Sequence, residues 1–170
     1  MQLSSGQISY FNIKSKKEIY LTEVGHTRQI QKCKVHPNNP MKMASCGFDG
    51  YLRIWDLGSL ELDAMIEDRT AKGLDKVLQS LAWCPIKPKP GHKDTFSSLC
   101  AVATSEAKVK LFDTSRNKVI QSVDVDKDSD TKCIVFDLDW NSDGLISVAT
   151  SSYESFILKF DMEKRSLEVL

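Results

Sequence analysis

The chain has 170 residues, 41% apolar and 27% charged, the composition of an ordinary globular protein with enough apolar mass for a packed core. Lys plus Arg balance Asp plus Glu at 23 each, so the basic surplus of a protein that lives by neutralising phosphates is missing, which argues against nucleic acid as the main ligand. No apolar run approaches the roughly 20 residues of a membrane-spanning helix, and Met1 to Gln7 carry neither the basic head nor the apolar stretch of a secretory signal.

In chain order, Ile8 opens a short alternating run that closes on Phe11-Asn12, and a second run follows from Glu18 to Val24. Ile30 to Pro37 alternates with period two and stops at a turn residue, as a strand does. Met43 to Gly47 is a strand of small residues, followed by the polar turn Phe48-Asp49-Gly50 and a strand that closes on Trp55-Asp56. Leu60 to Ile66 completes this set, and the same order then recurs twice. The first recurrence has Leu78 to Pro85, Cys100 to Ser105, a turn at Glu106, the pair Phe112-Asp113, and Val119 to Val125. The second has Val135 to Asn141, Ile146 to Ser151, a turn at Glu154, the pair Phe160-Asp161, and Ser166 to Leu170.

The four aromatic-Asp/Asn pairs are separated by 44, 57 and 48 residues. A four-stranded propeller blade takes roughly 40–45 residues, and the long middle interval contains the Pro/Lys-rich insert Pro85 to Thr95. Short strands at even spacing, with almost no amphipathic helix, predict an all-β repeat architecture.

Gly25-His26, Val35-His36-Pro37, Ala44-Ser45-Cys46-Gly47-Phe48-Asp49-Gly50 and Leu52-Arg53-Ile54-Trp55-Asp56 together resemble a nearly complete repeat of the WD40 family. The likeness extends, in degraded form, over nearly the whole chain. It implies a partial WD40 β-propeller of about three and a half four-stranded antiparallel blades. Residues 1–24 are then the last two strands of an incomplete blade, and 25–70 the best-formed blade. Residues 71–128 form a blade with an insert over 85–96, and 129–170 a third full blade. A propeller closes radially to protect its strand edges, so this segment is expected to belong to a longer propeller, to be a truncated product, or to share a ring with a complementary chain.

In that family a His, a strand Ser or Thr, a turn Asp and a Trp form a hydrogen-bonded tetrad. The resemblance implies that His26, Ser45, Asp49 and Trp55 fill those places, as structural rather than catalytic residues. A buried indole N–H needs an acceptor, and a buried imidazole and carboxylate need each other, so the role is chemically sensible. In the other copies Phe112 and Phe160 lack an indole N–H and Glu replaces the turn Asp, so those blades are expected to rest more on apolar packing.

No nucleophile elbow or phosphate-cradling glycine loop is present, and the three histidines, His26, His36 and His92, offer no obvious catalytic pairing. Cys33 and His36 have metal-like spacing but lack the second pair that structural zinc wants. The acidic run Asp124 to Asp130 lacks the glycine and flanking helices of a calcium loop, and reads as a solvated turn. No catalytic residue, metal or cofactor is therefore expected.

The five cysteines, without a close C-x-x-C pair, read as reduced thiols of an intracellular protein, cytoplasmic with a nuclear location as the alternative. The expected function is a non-enzymatic scaffold that docks other proteins on propeller rim and loops, with a nucleic-acid- or histone-tail-reading propeller as the alternative. Lys87, Lys89, His92 and Lys93 of the insert are the candidate partner-binding loop.

Overall fold

The structure is a computed structural model and describes residues 8–21, 25–87, 96–126, 133–152 and 154–170. Strands β1 (Ile8–Asn12) and β2 (Lys17–Leu21) form an antiparallel hairpin. The first four-stranded sheet holds β3 (Ile30–His36), β4 (Asn39–Gly47), β5 (Tyr51–Asp56) and β6 (Glu61–Glu67). The second holds β7 (Leu78–Trp83), β8 (Leu99–Thr104), β9 (Lys108–Asp113) and β10 (Lys118–Asp124). The third holds β11 (Val135–Trp140), β12 (Leu145–Thr150), β13 (Ser155–Asp161) and β14 (Ser166–Val169). Each is an antiparallel meander in chain order, and one 3₁₀ turn, Gly73–Lys76, leads into β7. These are the blades of a partial propeller, with the β1–β2 hairpin preceding them.

The aromatic-Asp/Asn pairs close β1, β5, β9 and β13, and their carboxylate or amide oxygen shapes the hairpin that follows. Asn12 Oδ1 accepts the N–H groups of Lys14 and Ser15, Asp56 Oδ1 those of Gly58 and Ser59, and Asp161 Oδ1 those of Glu163 and Lys164. Asp113 Oδ1 takes the N–H and hydroxyl of Ser115. Four residues beyond each stands a residue with positive φ: Lys16, Leu60, Asn117 and Arg165, at 51 to 63°. The side-chain oxygen ties down the first half of the turn, and the left-handed residue brings the chain back into register.

A second repeated device marks the innermost strands. The pairing register slips between Ile30 and Lys32, between Leu78 and Ser80, and between Val135 and Asp137. Such bulges turn one side chain per blade toward a common line. There the Lys32 ammonium reaches both carboxylate oxygens of Asp137 at 3.0 Å, and the Ser80 hydroxyl donates to the same carboxylate. The three inner strands are thereby linked across 105 residues of chain.

The core lies between sheets rather than within one. Ile8, Ile30, Met43 and Trp55 pack between the hairpin and the first blade. Ala44, Cys46, Leu52 and Ile54 of the first blade meet Leu81, Trp83, Val102 and Phe112 of the second. Ala82, Ala101, Val109 and Leu111 of the second meet Leu138, Trp140, Leu158 and Phe160 of the third. The opposite face of the third blade carries Asp139, Ser147, Ile157 and Lys159 at the matching places, all exposed.

Candidate functional site

The structure brings His26, Ser45, Asp49 and Trp55 together inside the first blade. Ser45 sits on β4 and Trp55 on β5, so both project from the sheet toward the preceding hairpin. Asp49 comes from the turn between those strands, and His26 from the segment that leads into β3. Gly47 opens that turn where a Cβ would stand 2.4 Å from the Gln29 carbonyl oxygen, and Gly50 completes it at φ +82°. The turn therefore draws close to the segment bearing His26, which is what places the two polar groups in reach of each other.

The bonds run in one direction. Trp55 Nε1–H donates to Ser45 Oγ at 2.8 Å. His26 Nδ1 lies 2.8 and 2.9 Å from the two Asp49 oxygens, and since an ionised carboxylate only accepts, Nδ1 carries the proton. In the neutral ring Nε2 is then the acceptor, so the Ser45 hydroxyl, 2.7 Å away, donates to it. Each polar atom along the relay is matched. Burial works against the Asp49 charge, but the His26 ring and the Thr27 and Tyr51 amides outweigh it and hold the carboxyl below its ordinary value.

Ser-His-Asp connectivity of this kind can activate a hydroxyl for acyl transfer, given access to a substrate. Here Ser45 and Trp55 have no exposed surface and His26 is 3% exposed. The Ser45 oxygen that would attack is already accepting the indole proton, and the ring that would serve as base is walled in by the sheet. The side chains of this arrangement present almost no surface to solvent.

Arg53, two positions before Trp55 on β5, joins the network. Its Nη1 donates to the Gly25 carbonyl at 2.7 Å, its Nη2 to Asp49 at 3.3 Å, and its side chain is 3% exposed. The Arg alternates onto the same face as Trp55, two places before it, which is the signal that reading the four tetrad places alone overlooks.

The second blade corrects the expectation that the degraded copies rest on apolar packing. Lys110 stands where Arg53 stands in the first blade, two places before the aromatic, and is completely buried. Its ammonium lies 2.8 Å from Asp68 and 3.0 Å from Asp75, and donates to the Asp75 carbonyl at 3.1 Å. The carboxylates come from the segment between β6 and β7, which packs over this face as the His26 segment does over the first. The polar network is thus rebuilt with a cation on the strand and acids on the connection. Burial alone would raise the Asp68 carboxyl, but Lys110 and Thr70 hold it down to about 2. In the third blade the matching residue is Leu158, also buried, and there the apolar expectation holds.

His36 and the thiols of Cys46, Cys84, Cys100 and Cys133 are likewise buried, and Cys33 is half-buried. Asn38 N–H donates to His36 Nδ1 at 3.1 Å, so Nε2–H donates to the Ser97 carbonyl at 2.7 Å, and the ring packs at 4.7 Å on Trp83. This ties the end of β3 to the far foot of the insert in the second blade. Trp83 Nε1–H donates back to the Lys34 carbonyl at 3.0 Å. Burial pushes the Cys33 thiol up to about 11 and raises those of Cys46 and Cys100 as well. None of the five cysteines is in a disulfide.

Of the insert residues singled out from sequence, Lys87 is exposed, while Lys89, His92 and Lys93 lie outside the described residues, as do Lys127 to Asp130 of the acidic run. The feet of the insert are anchored: Ile86 is buried against Gly144, Phe96 packs edge-on to Phe160 at 5.7 Å, and Thr114 binds the Ser98 carbonyl.

A family model described as WD domain, G-beta repeat matches residues 17–56. Residues 17–56 belong to the WD-repeat family. The matched WD repeat is offset from the sheets: it begins at β2 of the hairpin and ends with β5 of the next sheet. One WD repeat therefore spans two neighbouring blades, and the tetrad sits where its two parts meet, with His26 on the connection and Ser45, Asp49 and Trp55 on the sheet. The other two blades, outside the matched WD repeat, share its strand order but not its tetrad.

Proposed function

We propose that the chain is a non-enzymatic scaffold that holds other proteins on the rim and turns of its blades. The observation that carries this reading is how the reactive groups are used. Both nitrogens of His26 and of His36 are bonded within the fold, and the Ser45 hydroxyl both donates and accepts. Among the described residues these groups are engaged in holding blades in place, while the turns and the outer valleys carry exposed charged side chains. WD-repeat folds generally present such surfaces to other proteins, and the balanced net charge fits protein partners better than phosphate.

Capture of partners on the immobilised 170-residue chain, before and after nuclease digestion and across a salt series, tests the reading. Retention of the same proteins after digestion supports it. Loss of all of them on digestion, with steep salt dependence, would replace it with nucleic-acid binding.

A further inference from the structure

The outer valley between the second and third blades has electrical poles. Its walls are β10 and β14, each the outermost strand of its sheet with no neighbouring strand on its outer side, although Leu167 of β14 is bonded there to Gln121. Three cavities of about 310, 400 and 300 Å³ follow one another along it, the first and second sharing Gln121, the second and third sharing Asp124 and Val169. The first is lined by Arg116, Lys164 and Arg165 with no acid. The last is lined by Asp124, Asp126 and Glu154 with no base.

The floor shows what this edge accepts. Gln121 of β10 extends its amide to β14, where Nε2 donates to the Leu167 carbonyl at 2.9 Å and Oε1 receives the Leu167 N–H at 2.6 Å. A side-chain amide here makes the two bonds that the peptide group of an added strand would make. At the basic end the exposed Arg116 lies 3.6 Å from the buried Asp113, and the exposed Lys164 lies 3.5 and 3.3 Å from Asp161 and Glu168. Pairs of this kind contribute little and exchange readily for a better partner. The valley between the first and second blades, about 690 Å³, lacks such poles. There Arg69 and Lys118 stand among Glu67 and Asp68, and those acids are paired to Lys76 and Lys110.

We propose that the β10–β14 valley docks an extended peptide, with acidic side chains over Arg116, Lys164 and Arg165 and basic ones over Asp124 and Glu154. This rests on the scaffold reading and specifies where and what it holds. The seven residues of β10, at about 3.3 Å each, set the length of the occupant at roughly six or seven residues.

The test is an array of end-blocked heptapeptides with a Ser/Thr/Val centre, whose ends carry Asp or Lys in all four combinations, probed with the labelled 170-residue chain. Peptides with opposite ends should be retained best. Arg116→Glu/Lys164→Glu should weaken them about tenfold or more and shift preference to peptides basic at both ends. Arg116 and Lys164 are 61% and 68% exposed, so an unchanged melting temperature is expected. If that variant melts early, Arg116→Gln/Lys164→Gln should show the same loss without the new preference. Absence of any preference for opposite ends, or a preference that the charge reversal leaves alone, overturns the groove. Because the capture experiment reads every surface, it can still succeed when this one fails, which separates the two proposals.

Discussion

Lys110 occupies in the second blade the place that Arg53 occupies in the first, and each carries a buried cation to a carboxylate on a turn or connection beside its sheet. Leu158 fills the same column in the third blade without a charge. One position, two residues before the strand's closing aromatic, thus has a planar cation, a point cation and an alkyl group as three solutions to filling the space against the preceding unit. The cationic solutions are costly to break, because desolvated charges are supported only by each other.

Lys110→Leu should therefore destabilise the chain by about 3 kcal/mol, although leucine is the residue the third blade uses. It leaves Asp68 and Asp75 beside an apolar wall. Adding Asp68→Asn and Asp75→Asn to Lys110→Leu should recover most of the loss. Urea denaturation of the single and triple variants measures both effects.

The same cluster predicts acid sensitivity. Asp68 is held at about 2 in the folded state against an ordinary 3.8, so it binds fewer protons folded than unfolded in that interval. Its contribution is complete above about pH 5 and is lost as pH falls toward 2. The stability gap between the natural chain and Asp68→Asn should be widest near neutrality and close across that range, as read from urea midpoints at several pH values. A gap that does not change with pH would count against the Lys110 pairing.

Trp55→Phe keeps an aromatic side chain but removes the pyrrole half of the buried indole, and with it the N–H that Ser45 receives. We expect a loss of about 1–3 kcal/mol in a thermal or urea melt. Asp49→Ala removes the acceptor of His26 and of Thr27 and Tyr51 N–H, and should cost at least as much.

The turn-closing residues make a finer prediction. Asp56→Ala removes the acceptor of two backbone N–H groups and should cost about 1 kcal/mol. Asp56→Asn should be nearly silent, because Asn12 makes the same two bonds in the first hairpin. Equal losses for both substitutions would show that the charge rather than the acceptor matters.

How far the sequence discloses this arrangement differs from residue to residue. The three sheets are legible because alternating runs and aromatic-Asp pairs recur at nearly even intervals, and His26, Ser45, Asp49 and Trp55 because they stand at the spacing of a known repeat. Val109-Lys110-Leu111, by contrast, reads as a strand with its lysine in water. It is buried only because the connection carrying Asp68 and Asp75 folds over that face, a contact that no local pattern encodes. The line of Lys32, Ser80 and Asp137 is hidden for a related reason: each bulge shifts the period-two alternation by one residue, and the three side chains meet only once the sheets are stacked. Aligning the repeats column by column would have exposed the Arg53–Lys110 correspondence, since both precede the aromatic by two.

The central claim is that the first blade's polar network is closed and structural, and the most direct measurement of it is native-state hydrogen exchange at the tryptophan indoles. Trp55 Nε1–H, bonded to Ser45 and sealed between the hairpin and the first blade, should exchange slowly, only through opening of that blade, as should Trp83 Nε1–H on the Lys34 carbonyl. Exchange of the Trp55 indole at the rate of an exposed tryptophan would contradict the account, because it would mean that the Ser45–His26–Asp49 relay is open to water and available for chemistry.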